Sequence, residues 1–299
     1  MTPIVIAPEA ERGLFDALLP PEMARRGEAL GVAKASLDPL STLTLGILAG
    51  AFIALGGVFA TTALAGATSV VWGPARVLAG IAFSVGLILV SVGGAELFTG
   101  NNLIAMAWAS GRVTTGALAR NWAIVFAGNF AGALATALLV CLGGLHRFGG
   151  GAFGIAAMSA ASGKLHFGFA QAVALGILAN ALVCLAVWLT YSARTTTDRV
   201  LAIIPPISAF VAAGFEHSIA NMYFVPLGLF IARLDPAFVS ATGLDAQARD
   251  LSWLGFFVAN LVPVTLGNII GGSVLVGIVY WFVYLRPIGR NAERPASMR

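Results

Sequence analysis

Two short stretches stand out in an otherwise apolar chain: Gly-Ala-Glu-Leu-Phe-Thr-Gly-Asn at 94–101 and Gly-Phe-Glu-His-Ser-Ile-Ala-Asn at 214–221. Both follow the skeleton Gly-x-Glu-x4-Asn, 120 residues apart. Glu96 and Glu216 are the acids that fall within apolar stretches, and His217 is the histidine that does so. A carboxylate in a dry site must take up a proton or find hydrogen-bond donors. Each glutamate is therefore expected to accept from loop N–H groups or from asparagines of the other half, scaffolding the loop it sits in. An imidazole has an ordinary pKa of about 6.5, so either protonation state exists near neutrality. His217 can thus donate a hydrogen bond to an anion or pass it a proton.

The elements that must hold these residues follow from composition. The 299 residues are 59% hydrophobic and 10% charged, with a mean hydropathy of +0.91. A soluble domain is about a quarter charged, so a lipid bilayer is the matching solvent. One helical span needs roughly 20 apolar residues, and six stretches qualify: 42–66, 77–110, 119–143, 168–193, 200–233 and 254–285. The second and fifth are too long for one simple span, and each is interrupted by one of the two motifs. A break in hydrocarbon frees backbone N–H and C=O groups at several kcal/mol each unless protein or a wet cavity surrounds them. Thr99, Asn101, Ser218 and Asn221 are placed to satisfy those groups.

A second pattern repeats. Asn121-x6-Gly128-Asn129-x2-Gly132 in the third stretch matches Asn260-x6-Gly267-Asn268-x2-Gly271 in the sixth. Spans one to three and four to six therefore read as two copies of one unit. Three crossings reverse the side, so the second copy inserts upside down. Inverted repeats with discontinuous helices mark transporter folds, with the substrate site at the breaks.

Orientation follows the basic residues. The side shared by both termini holds twelve of the seventeen Lys and Arg, the other side five. Both termini are expected in the cytoplasm, and the net charge of +4 calls for no nucleic acid. Residues 8–36 lack the pattern of a secretory signal and read as a surface amphipathic helix, split at Pro20-Pro21. Three regions result: a cytoplasmic N-terminal helix at 1–38, a six-span channel domain at 39–286 and a cytoplasmic tail at 287–299. Cys141 and Cys184 lie in spans without metal or redox spacing and read as small core residues.

The stretches GAELFTGNNL, ASGRVTTGALARNW, LGILANALVCLAVW, GFEHSIANMYF and PVTLGNIIGG together resemble the formate/nitrite transporter family, from about Leu18 to Arg286. The resemblance implies an all-α integral membrane protein, an aquaporin-like protomer of inverted three-span repeats with broken second and fifth helices. It also implies a homopentamer in the inner membrane, one pore per protomer, no cofactor, and movement of small anions such as formate, nitrite or hydrosulfide. Carried over by position, the central pore residues are His217, Thr99 and Asn180. The constrictions are Phe83 and Phe210 toward the outside and Leu87 and Leu97 toward the cytoplasm. Lys164 becomes the cation of the outer vestibule, and Glu216, Asn221 and Glu96 support the loops. The N-terminal helix would sit under the cytoplasmic mouth. In one place the chain departs from the formate-channel branch: Gly-Asn-Asn follows Thr99 where a Ser-Thr-Val-like sequence is more usual.

The leading expectation is passive or proton-coupled permeation of formate, with uptake rising as outside pH falls and His217→Asn flattening that dependence. Nitrite or hydrosulfide is the alternative cargo. An intramembrane enzyme built on Glu216 and His217 is a remote alternative, since it lacks a nucleophile and a second intramembrane histidine. A neutral-solute pore would carry paired Asn-Pro-Ala motifs, which are absent here.

Overall fold

The computed structural model describes residues 17–67 and 71–287. Residues 8–16 of the expected surface helix and nearly all of the expected tail lie outside them. Helix α1 spans Pro20–Ser36. The two prolines open this helix and do not split it: a proline lacks the N–H that a first-turn residue would leave unused. Glu22 accepts the N–H of Leu19 at 2.9 Å. Helix α1 buries Met23, Ala24, Gly27, Gly31 and Ala35.

Six helices are long and apolar enough to cross a membrane. They are α2 (Pro39–Leu64), α3 (Trp72–Gly93), α6 (Thr115–Leu142), α8 (Phe169–Ser192), α9 (Thr196–Ala213) and the last helix, Trp253–Tyr284. As the motifs predict, α3 and α9 stop midway. After Gly94, α3 is followed by α4 (Phe98–Asn101), a short 3-10 turn and α5 (Ala105–Ala109). After Gly214, α9 is followed by α10 (Ser218–Leu234). The connection before the fourth span holds a helix that periodicity did not announce, α7 (Ala152–Lys164). Its small-residue composition hides the pattern. Short helices α11 (Pro236–Ala241) and α12 (Asp245–Asp250) occupy the longer connection of the second half. The last helix, α13, widens to π turns at Phe256–Leu261 and Ile270–Ile278. Pro263 lies just past the first of these and leaves a carbonyl four residues back without its usual donor.

The repeated glycines set how closely the halves' own helices pack. Helix α2 lies on α6, and α8 lies on the Val262–Ile269 stretch of α13. A Cβ on Gly50 would overlap the carbonyl of Asn129, and one on Gly132 the carbonyl of Ile47. In the second half, Gly267 and Gly271 meet the carbonyls of Val173 and Ile177 in the same way. Helices in lipid associate through such small-residue contacts. Gly132→Ala should force α2 and α6 apart and cost about 1–3 kcal/mol, read as a lower melting temperature in detergent. An unchanged melting temperature would show that the contact can relax.

Candidate functional site

The two breaks are built alike. Gly94 and Gly214 end α3 and α9 with φ of 81° and 78°, the left-handed region that only glycine adopts freely. The next three residues run extended, and α4 and α10 then begin at Phe98 and Ser218. In the first half, Asn129 Oδ1 accepts the N–H of Phe98 at 2.9 Å. Its Nδ2 donates to the carbonyls of Gly46 at 2.7 Å and Glu96 at 2.9 Å. In the second half, Asn268 Oδ1 accepts the N–H of Ser218 at 2.9 Å. Its Nδ2 donates to the carbonyls of Gly176 at 2.8 Å and Glu216 at 3.0 Å. Each asparagine thus stitches a break to the first span of its own half. That explains why the Gly-Asn-x2-Gly pattern recurs: glycines bring the backbones together and the asparagine bonds across.

The glutamates are satisfied by the same logic. Glu96 accepts from Asn101 at 2.6 Å and pairs with Lys34 at 2.5 Å; Asn101 also donates to Asn121 at 2.9 Å. Glu216 accepts from Asn221 at 2.7 Å and from Asn260 at 3.2 Å, and pairs with Lys164 at 2.7 Å. The donors are asparagines of the glutamate's own half, where loop N–H groups or asparagines of the other half were expected. The reason is topological: the third span of each half packs directly on its first span and on its own break. Lys34 and the asparagines at 121, 129, 260 and 268 carry roles that sequence reasoning missed. The repeated spacing marked the asparagines, but nothing marked Lys34, which read as part of a surface helix.

Two cavities approach the breaks from opposite ends of α3. One, about 250 Å³, lies beside α1 and is lined by Arg26, Lys34, Leu87, Glu96, Leu97 and Arg199; it is called the near cavity here. The far cavity, about 340 Å³, is lined by Arg76, Phe83, Lys164, Phe210, Glu216 and His217. Phe83 and Leu87 sit one turn apart on α3 yet line different cavities. The barrier between the cavities along α3 is therefore only about one helical turn, roughly 5.4 Å. Phe83 and Phe210 meet edge to face at 5.6 Å between centroids, and the Phe210 ring lies 5.8 Å from that of His217.

His217 caps α10: its Nδ1 accepts the N–H of Ala220 at 3.1 Å. An amide N–H cannot accept, so in this geometry the proton of a neutral ring sits on Nε2. Nε2 is 2.9 Å from Thr99 Oγ1 and donates to it, which leaves the Thr99 hydroxyl proton free to donate elsewhere. Both side chains are buried. Asn180 joins this group from behind and lines neither cavity. Its Nδ2 contacts the Thr99 carbonyl at 3.3 Å, Asn102 Oδ1 at 2.7 Å and the Asn268 carbonyl at 2.7 Å. Cys184 Sγ lies 3.2 Å from the same Thr99 carbonyl, and both cysteines are buried free thiols. The barrier therefore presents the free hydroxyl proton of Thr99, oriented by the His217 N–H, and the positive end of the α10 dipole, while both nearby carboxylates are held by a lysine and an asparagine.

A family model described as Formate/nitrite transporter matches residues 21–282. The chain belongs to the formate/nitrite transporter family. It is 47% identical over 274 residues to the formate channel FocA of Escherichia coli K12, covering 91% of this chain and 96% of that one. It is 40% identical over 264 residues to the formate channel FocA of Haemophilus influenzae, covering 88% and 93%. Among solved structures it resembles one titled "Pentameric formate channel with formate bound", with a TM-score of 0.78 and 45% identity over 83% of this chain and 98% of that one. A second, titled "FNT family ion channel", gives a TM-score of 0.74 at 28% identity over 88% and 98%. These relatives are channels and not enzymes, and the described residues of this chain have the all-helical, six-span architecture expected from the sequence.

Proposed function

We propose that this protein is a channel for small monovalent anions, formate foremost, working as a homopentamer with one pore per protomer. The observation that carries the reading is the donor set at the barrier. A two-step donor chain, Nε2–H of His217 to Thr99 Oγ1 and the Thr99 hydroxyl proton beyond it, and a helix N-terminus converge there, and neither glutamate is left as a bare repelling charge. Cations would find no free carboxylate, and a dehydrated anion would find hydrogen bonds. The relatives named as formate channels support formate as the cargo.

In this mechanism an anion enters one cavity, loses water between Phe83 and Phe210, and is met by His217 and Thr99. It then leaves past Leu87 and Leu97. Asn180 holds the Thr99 backbone in place, and the pairs Lys34–Glu96 and Lys164–Glu216 keep the two breaks in shape. A proton can reach His217 Nδ1 only if that atom releases the Ala220 N–H. The described geometry thus favours hydrogen-bond donation, and proton coupling requires the ring to turn first. The near cavity faces the cytoplasm of the inner membrane on this reading, because the basic residues concentrate on that side.

Uptake of radiolabelled formate by proteoliposomes, at about pH 5.5 and about pH 7.5 around the histidine's ordinary range, tests the assignment. Saturable formate entry, weakly competed by nitrite and hydrosulfide, is the expected result. Flux of nitrite or hydrosulfide without formate would keep the channel and overturn the cargo.

A further inference from the structure

We propose that Arg76 is the residue that captures anions in the far cavity and that it favours planar oxoanions over monatomic ones. This rests on the anion-channel reading above and assigns its entry step.

The far cavity holds two cations and one acid. Lys164 lies 2.7 Å from Glu216, and both side chains are largely buried. A contact pair has no net charge, and its field falls off faster than that of a single ion. Among the described residues no carboxylate lies within ion-pair distance of Arg76. The net positive charge of this cavity is therefore carried by Arg76.

Its placement has two sides. Arg76 stands in the second turn of α3, where a cation opposes the dipole of its own helix. Its compensation is the crossing helix: Nη2 donates to the Val211 carbonyl at 2.7 Å and Nε to the Ala212 carbonyl at 3.3 Å, at the C-terminal end of α9. Those two bonds use one edge of the guanidinium. The opposite edge, formed by Nη1 and the second N–H of Nη2, is not used by them, and Arg76 lines the cavity with Phe210 and His217. A guanidinium edge binds two oxygens of a carboxylate in parallel, a geometry an ammonium group does not offer. The ligand chemistry that fits is a planar anion with two oxygens on one centre, such as formate or nitrite. A halide or hydrosulfide offers a single acceptor atom, so the two parallel N–H groups can meet it only through bent, weaker hydrogen bonds. The other half echoes the arrangement. Arg199, in the first turns of α9, lines the near cavity with Val90 and Gly94 at the end of α3.

The test is initial-rate formate uptake into right-side-out membrane vesicles, over a range of formate and salt concentrations, with chloride and nitrite as competitors. Arg76→Gln should raise the half-saturating formate concentration about tenfold, the lower end of what electrostatic focusing gives. It should also flatten the salt dependence and weaken nitrite competition more than chloride competition. Arg76→Lys keeps the charge without the fork. It should retain the salt dependence while losing the preference for nitrite over chloride, and it serves if the glutamine variant does not assemble. The double variant Lys164→Gln/Glu216→Gln removes no net charge and should keep the salt dependence, whatever it does to the maximal rate. Half-saturation and salt dependence unchanged in Arg76→Gln, or a lower maximal rate as the sole effect, would overturn the proposal and leave Arg76 as a cap on α9. If the unmodified protein moves no anion at all, the channel reading falls as well.

Discussion

Asn268→Ala should destabilise the protein by more than about 2 kcal/mol, the sum of two buried groups each left without a partner at about 1–3 kcal/mol. The substitution orphans the Ser218 N–H and the Glu216 carbonyl, and removes the second hydrogen bond of the Gly176 carbonyl, which keeps its partner within α8. Both orphaned groups belong to buried residues. Single hydrogen bonds between membrane helices can be worth well under 1 kcal/mol where the unfolded segments find other partners. A helix break in mid-membrane is different, because the freed backbone groups have no competing helix to join. A loss of this size removes a large part of a margin of about 5–15 kcal/mol. Asn268→Asp should be no better. It keeps an acceptor for Ser218 but sets a carboxylate against two carbonyls. Asn129→Ala, which breaks the matching bonds in the first half, should behave the same way. Thermal melting of the purified oligomer in detergent reads the effect, and a variant that melts with the parent and still transports would contradict it.

Loss of the His217 donor should have the largest effect on flux without unfolding the chain. A hydrogen bond to a charged partner is worth about 1.5–3 kcal/mol, so His217→Phe should lower formate flux roughly 10- to 100-fold. The phenyl ring fills similar space beside Phe210, but it neither donates to Thr99 to turn the hydroxyl proton toward an anion nor accepts the Ala220 N–H. His217→Asn separates those two roles. Asparagine is a good N-cap, so the start of α10 should be kept. Its shorter amide places no donor where Nε2 now meets Thr99. Flux should stay well below that of the parent, and the difference between about pH 5.5 and about pH 7.5 should shrink, since an amide does not titrate there. Thr99→Val, combined with each of these, shows whether His217 and Thr99 act on the anion as one hydrogen-bonded unit; their effects should then be non-additive. A folded His217→Phe protein that conducts formate at the parent's rate would sink the assignment of the barrier.

The sequence by itself determined the kind of solvent, the number of spans, the two breaks and their repetition. An ionisable residue in hydrocarbon is so costly that Glu96, Glu216 and His217 stand out without any coordinates. Gly94 and Gly214 were legible as breaks for the same reason, because each sits beside a polar cluster inside a stretch too long for one helix. The start of α1 was misread because two prolines look alike in a kink and in a first turn, and only the backbone path separates the cases.

Which groups meet was decided by the tertiary structure. Lys34 reaches Glu96 across 62 positions of chain, from a helix whose composition marks only a membrane surface. Arg76 meets the end of α9 because α3 and α9 pack against each other, and no local pattern encodes that pairing. Asn180 turns out to hold a loop from behind, a role its place in an apolar helix does not disclose. Hydrophobic periodicity and insertion cost describe one segment at a time. The partner of a freed N–H or a buried charge depends on how closely two helices approach, and here that distance is set by glycines such as Gly50 and Gly132 on separate spans.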